Sequence, residues 1–221
     1  DFQRIHVDTA ERIARAVHQA GVPALIHISA LGANTQAKAQ YARTKALGEQ
    51  AVRKAFPQAS IIRPSIVFGP EDRLFNLFAG LARLSPVLPL VGGGKTRFQP
   101  VYVDDVAQAI ARLATGQAPG GETLEAVGPK VYTFRELMVL MLKEIRRRRL
   151  LVPVPFCLAK FKAWFLEFLP RPLLTRDQVE MLKTDVVATS GARTLQDLGI
   201  QPRAVEAIIP TYLARFRPGG S

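Results

Sequence analysis

The sequence predicts an α/β fold with a doubly wound parallel sheet. Two observations carry this. Short β-branched or apolar runs alternate with longer stretches of helical periodicity along most of the chain. Proline, glycine and capping residues fall at the ends of those segments. Strands that alternate with helices pair in parallel through right-handed crossovers.

Residues 5–20 read as a helix closed near Gly21 and Pro23. Residues 24–31 form an apolar strand and 32–40 a polar loop. Residues 41–56 form a helix that Pro57 ends. Residues 60–67 are a β-branched strand stopped by Gly69 and Pro70. A helix follows from 74 to 84, with Leu74, Leu77, Phe78 and Leu81 at helical spacing. Gly92, Gly93 and Gly94 make a turn, because no helix pattern follows them directly. Residues 98–101 are a short strand. Asp104 and Asp105 are expected to cap a helix from 106 to 115, with one of them buried against an arginine. Residues 122–127 are a strand. Thr133 opens a helix with Glu136 at its capping-box position.

The 221 residues suffice for one substantial core or two small ones. Cys157 is the single cysteine, so no disulfide forms within the chain and a reducing compartment is expected. No apolar run reaches transmembrane length, and the first residues lack the apolar core of a signal peptide. Thirty Lys and Arg face 18 Asp and Glu, a net charge of +12. That excess favours anionic partners. Zinc spacings and RNA-binding aromatic motifs do not accompany it, so nucleic acid is not expected, and no metal site is read.

Tyr41 and Lys45 form a Tyr-x-x-x-Lys pair within Tyr-Ala-Arg-Thr-Lys-Ala-Leu-Gly-Glu. Residues four apart share a helix face, so phenol and ammonium can converge on one ligand. A tyrosine near pKa 10 is a poor base at neutral pH, and a nearby cation brings it down. Ser29, twelve residues upstream, offers a hydroxyl for a carbonyl or alcohol oxygen. Ser29, Tyr41 and Lys45 are therefore the candidate catalytic residues, in a site suited to hydride chemistry on a nicotinamide. His27, two residues before Ser29, is read as a satisfied core histidine.

The chain resembles the extended and atypical short-chain dehydrogenase/reductases, the NAD-dependent epimerase/dehydratase superfamily. Three motifs in order carry the resemblance: Ile26-His27-Ile28-Ser29 before Tyr41 and Lys45, Arg63-Pro64 with Gly69-Pro70, and Val101-Tyr102-Val103-Asp104-Asp105-Val106-Ala107. It covers about residues 1–145 well and the rest more loosely. It implies a Rossmann-like fold that binds NADP or NAD. Tyr41 is then the general acid/base and Lys45 holds the nicotinamide ribose. Ser29, with Pro64, Ser65 and Ile66, completes the cofactor-binding set. By the same analogy residues 1–69 and 101–127 form the nucleotide-binding lobe, and 70–100 with 128–221 a smaller substrate or partner lobe. No Gly-x-x-Gly-x-x-Gly opens this sequence, so the first half of the Rossmann unit, with the residues that choose NAD or NADP, is expected to be missing from it.

His6 stands where the family usually has an asparagine that supports the lysine, and Ala10 where it has a glycine. The gap from Ser29 to Tyr41 is shorter than in sugar epimerases and dehydratases. The compact spacing to Tyr41, with the runs 27–34, 41–49, 62–72, 94–107 and 150–155, resembles the NAD(P)H-binding accessory subunits of respiratory complex I and their bacterial homologues. The resemblance implies a largely structural nucleotide and a place beside other complex I subunits. That place is cytoplasmic and peripheral on the inner membrane, or on the matrix side of a mitochondrion. The retained Ser29, Tyr41 and Lys45 keep a second possibility open. It is a free NAD(P)-dependent oxidoreductase or epimerase for a quinone-like, isoprenoid or nucleotide-sugar substrate.

Four consecutive arginines, 146–149, precede a segment from 156 to 169 rich in large apolar side chains. They are read either as an interface with an anionic membrane surface or complex I partner, or as a charge run before an internal core helix. Lys162 falls opposite Lys160 and Glu167 in projection, so the helix is apolar almost all round, which favours burial in protein.

Overall fold

A computed structural model describes residues 2–170 and 172–219. The chain divides into two compact units. The first comprises Asp1–Ser65, Asp104–Val127 and Ala188–Pro202; the second comprises Ile66–Val103, Gly128–Val187 and Arg203–Ser221.

In the first unit a π-helical stretch, Arg4–Thr9, runs into α1 (Ala10–Gln19). The periodicity predicted a regular helix over the whole of 5–20. The wide turn coincides with a close backbone approach to the next helix, described below. β1 is Ile26–Ile28, α2 is Gln40–Ala55 and β2 is Ser60–Pro64. β3 (Val67–Phe68), α3 (Leu74–Leu84), β4 (Val87–Val91), β5 (Arg97–Phe98) and β6 (Val101–Tyr102) follow in the second unit. The chain then forms α4 (Val103–Ala114) and β7 (Thr123–Ala126), largely in the first unit. The last elements are β8 (Tyr132–Thr133), α5 (Phe134–Glu144), β9 (Leu150–Val154), α6 (Phe156–Leu166), α7 (Arg176–Met181) and α8 (Val205–Leu213).

The sheet of the first unit is parallel with order β1-β2-β7. The central strand carries Ile61 and Ile62 with no exposed surface. A strand covered on both faces needs such a continuous apolar run. Ala14, Val52, Phe56, Ala59 and Ile61 pack together under α1 and α2. The α/β expectation, with its parallel strands, is borne out.

The second unit pairs β3 with β6 and β4 with β9 in parallel, and β5 with β8 antiparallel. Its core gathers Phe68, Phe75, Leu88, Leu90 and Phe134 with Leu137, Met138, Met141, Ile209 and Leu213. Thr133 accepts a hydrogen bond from Glu136 N–H, and the Glu136 carboxylate accepts one from Thr133 N–H, closing the predicted capping box. Gly92, Gly93 and Gly94 form a tight turn with φ of 62°, 71° and 70°. Only glycine adopts such angles at no steric cost.

Three segments depart from the sequence reading. The strand expected over 60–67 is two strands. Ser65 N–H donates to the Ala126 carbonyl beside β7, and the Ile66 carbonyl accepts from Val101 beside β6, so the backbone changes partners between those residues. Asp104 and Asp105 do not precede the helix but lie in its first turn, where negative charge is favourable. Residues 188–202, assigned to the second lobe from sequence, pack in the first unit. There the buried Glu125 carboxylate accepts hydrogen bonds from Thr189 N–H at 2.7 Å and Thr189 Oγ1 at 3.0 Å.

Candidate nucleotide and proton-transfer site

The candidate residues lie in the first unit, where β1 ends against α2. The Ser29 amide continues the parallel ladder by donating to the Ile62 carbonyl, and the Leu31 amide donates to the Pro64 carbonyl. The chain carrying Ser29 therefore runs beside the Arg63-Pro64 end of β2. On α2, Lys45 Nζ donates to the Ile28 carbonyl at 3.0 Å, one peptide from Ser29. It also lies 5.9 Å from the centre of the Tyr41 ring. Lys45 thus links Tyr41 on α2 to the strand end that carries Ser29, which runs beside Pro64. Ser65 is buried at the end of the same sheet. Ile66 belongs to the second unit.

Ser29 is 3% exposed, and its Oγ is buried without a hydrogen-bond partner among the described residues. A buried hydroxyl left unpaired costs about 1–3 kcal/mol. His27 Nε2 is also buried and unpaired. The core histidine read from the sequence is therefore not a satisfied one. Its Nε2 lies 3.9 Å from where a Cβ on Gly48 would stand, so the ring faces a helix surface that offers no side chain. Burial holds the His27 imidazole below its ordinary pKa, with the Lys45 charge adding to the effect.

Tyr41 departs from the sequence expectation in one respect. Its pKa is raised, because burial disfavours the phenolate. The ammonium that was to lower it hydrogen-bonds a backbone carbonyl instead, and desolvation brings Lys45 itself down. As arranged here, Tyr41 is a proton donor at neutral pH.

His6 enters the same cluster. Its Nδ1 lies 2.9 Å from Thr44 Oγ1, and that hydroxyl is 2.9 Å from the Gln40 carbonyl. The His6 ring stacks on Phe2 and meets Tyr41 edge-on, with centroids 5.2 Å and 5.4 Å apart. Its pKa is lowered by burial, then by Lys45, so the ring is a neutral wall beside the phenol. The sequence reading noted His6 only as a departure from a family pattern and missed Thr44. The signal was there, since 41, 44, 45 and 48 lie on one helix face. Gly48 is the close-approach residue of that face: a Cβ there would lie 2.1 Å from the His6 carbonyl oxygen.

One more pair was missed. Glu49, nearly buried, accepts two hydrogen bonds from Arg63, at 2.8 Å and 2.6 Å. The hydrogen bond to Glu49 raises the Arg63 pKa further, and the pair ties α2 to β2 behind the site. Among the described residues no group of His, Cys, Asp and Glu is arranged to hold a metal ion. No described helix is long and apolar enough to cross a membrane.

Residues 2–155 match the family described as the RmlD substrate binding domain. The chain is 36% identical over 230 residues to the NADH dehydrogenase [ubiquinone] 1 alpha subcomplex subunit 9, mitochondrial, of Arabidopsis thaliana, covering 99% of this chain and 57% of that protein. It is 36% identical over 217 residues to the NADH-ubiquinone oxidoreductase 40 kDa subunit, mitochondrial, of Neurospora crassa, covering 98% of this chain and 57% of that one. The chain thus spans little more than half the length of these relatives. A dTDP-glucose 4,6-dehydratase from Streptomyces venezuelae, solved with NAD bound, shares the fold with a TM-score of 0.69 at 18% identity, over 97% of this chain and 66% of that one. The resemblance read from the motifs is borne out, and on the match over most of its length the chain belongs to the RmlD substrate binding domain family.

Proposed function

We propose that the chain is the nicotinamide-facing part of an NAD(P)(H)-binding subunit associated with respiratory complex I, on the matrix or cytoplasmic side of the membrane, with a largely structural nucleotide. The observation that carries the reading is the convergence of Lys45 Nζ on the Ile28 carbonyl, beside Tyr41 and the unpaired Ser29 hydroxyl. A nicotinamide dinucleotide fits that donor set, because the buried Ser29 Oγ has no partner and the Lys45 ammonium is held beside it on the Ile28 carbonyl with further N–H donors to offer. Lys45 would hold the ribose hydroxyls, and Pro64, Ser65 and Ile66 would supply backbone beside the ring. When bound, the nucleotide supplies a hydride donor or acceptor.

The raised pKa of Tyr41 keeps the phenol protonated at neutral pH, so it can hold a ligand oxygen or donate a proton, and it serves either reading. The likeness to complex I subunits supports the partner, and the NAD-bound neighbour supports the cofactor class. The unpaired Ser29 hydroxyl favours a second reading, a free reductase or epimerase in which Ser29 orients a substrate oxygen and Tyr41 donates the proton.

Two measurements test the proposal. Full-length protein from mildly solubilised native membranes should co-migrate with NADH-dehydrogenase activity on a native gel. Nucleotide released by denaturing the native protein should persist in Tyr41→Phe and fall at least tenfold in Lys45→Ala. Migration apart from that activity, or native protein that yields no nucleotide, overturns the proposal. Substrate turnover abolished by Tyr41→Phe establishes the second reading.

A further inference from the structure

α6 is built inside out. Its buried side chains are the smallest, Ala159 and Ala163, four residues apart on one face. Phe156 at its start packs inward and Leu166 at its end is half-buried, but the other rings point to solvent: Phe161 is 59% exposed, Trp164 43%, Phe165 53%, and Phe168 just beyond the helix 75%. Their spacing of i, i+3, i+4 and i+7 makes them one stripe. The rings touch edge to face, with Phe161 and Phe165 5.0 Å apart, Trp164 and Phe165 4.7 Å, and Trp164 and Phe168 5.7 Å. Leu158, Leu169 and Leu173 extend the exposed apolar surface.

Two of the three charged residues of this segment are engaged elsewhere, and the third, Lys162, is exposed on the flank of the stripe. Lys160 lies 3.6 Å from Glu180, and Glu167 pairs with Arg176 at 2.8 Å, both with or beside α7. Lys160 and Glu167 are thus paired with α7, while the aromatic stripe meets water. At roughly half of 150–250 Å² per ring, four rings expose on the order of 400 Å². Patches of that size mark interaction sites.

We infer that this aromatic face of α6 docks in the interfacial layer of an anionic lipid bilayer, as a monotopic anchor. The indole N–H of Trp164 is the one polar group among its four rings, and Trp and Phe suit the headgroup boundary. The net charge of +12 is complementary to an anionic surface and opposes pairing with a second copy of the chain. The 146–149 arginines contribute less than their number implies. Arg147 donates to the Phe216 carbonyl and Arg149 to the Ala82 carbonyl, and β9 separates the run from α6. The inference is independent of the nucleotide reading.

Trp164 is the single tryptophan of the chain, so it reports on this face alone. Intrinsic fluorescence of the whole chain would be followed on adding vesicles of phosphatidylcholine, with and without 30% phosphatidylglycerol. A blue shift and quenching by lipids brominated on their acyl chains are expected, with the anionic vesicles bound at least tenfold more tightly at low salt. The double variant Phe161→Glu, Phe165→Glu should keep its thermal midpoint, because both sites are exposed, and lose at least tenfold in partitioning. Emission that does not change with vesicles overturns the inference, as does partitioning that the double variant or anionic lipid leaves unaltered. A blue shift that needs no lipid and grows with protein concentration assigns the face to a second copy. One produced only by delipidated complex I assigns it to a protein partner. Either of those outcomes also overturns the inference.

Discussion

At Gly48 the usual sign of a helix substitution reverses. Glycine to alanine in an open helix gains about 0.5–1 kcal/mol. Here the new Cβ would meet the His6 carbonyl oxygen at 2.1 Å, so helix or π-turn must shift. Gly48→Ala is expected to cost about 1–3 kcal/mol in urea denaturation. His27 makes a second prediction. Its folded pKa lies below the unfolded value of about 6.5, so the unfolded chain binds more protons as the pH falls. The stability it helps to maintain is full above about pH 6.5 and is lost as pH falls through the folded value, with His6 acting in the same sense. Stability measured between pH 7 and 5 should fall in the wild type and fall less steeply in His27→Gln. An equal slope would show that His27 is not the group responsible. The juxtaposition of Tyr41 and Lys45 was legible in sequence because i and i+4 are local. The raised phenol pKa was not, since it depends on how deeply packing buries the ring.

At the scale of elements, capping and pairing decide what periodicity leaves open. Thr133→Ala removes the hydroxyl that accepts from Glu136 N–H at the start of α5 and should cost about 1 kcal/mol, read as a lower denaturation midpoint at unchanged slope. Glu49→Ala leaves the Arg63 guanidinium without its bidentate partner. The cost is expected at about 2 kcal/mol, less than for a fully buried pair because Arg63 keeps some solvent. Thr133 with Glu136 was plain in the sequence because a capping box is a three-residue pattern. β4 and β9 were not assigned from the sequence, and each holds a proline, Pro89 and Pro153, within its ladder. Among the described residues the two strands form a two-stranded sheet, and edge ladders tolerate proline. The orientation of α6 escaped as well. A helix apolar almost all round has no face that the sequence alone can orient.

At the scale of the whole chain, contacts remote in sequence set which segment belongs to which unit. Glu125 on β7 is buried and depends on Thr189, 64 residues away. Thr189→Val keeps the shape, removes the hydroxyl donor and should cost about 1–2 kcal/mol. An unchanged stability would show that the Thr189 amide suffices. The lobe boundary placed at residue 128 from sequence could not see this return of residues 188–202. Nothing local in that stretch advertises a partner on β7.

By itself the sequence determined the α/β class, the helix that presents Tyr41 and Lys45 together, the capping box and the family. These rest on spacings of a few residues, which backbone geometry converts directly into a shared face or a terminus. Only the tertiary structure decided that Ser29 Oγ and His27 Nε2 are buried unpaired and that burial outweighs the lysine at Tyr41. It also decided that Glu49 holds Arg63 and that the aromatic stripe of α6 faces outward. Each depends on which surfaces remote segments cover, and burial, unlike periodicity, is a property of the packed chain.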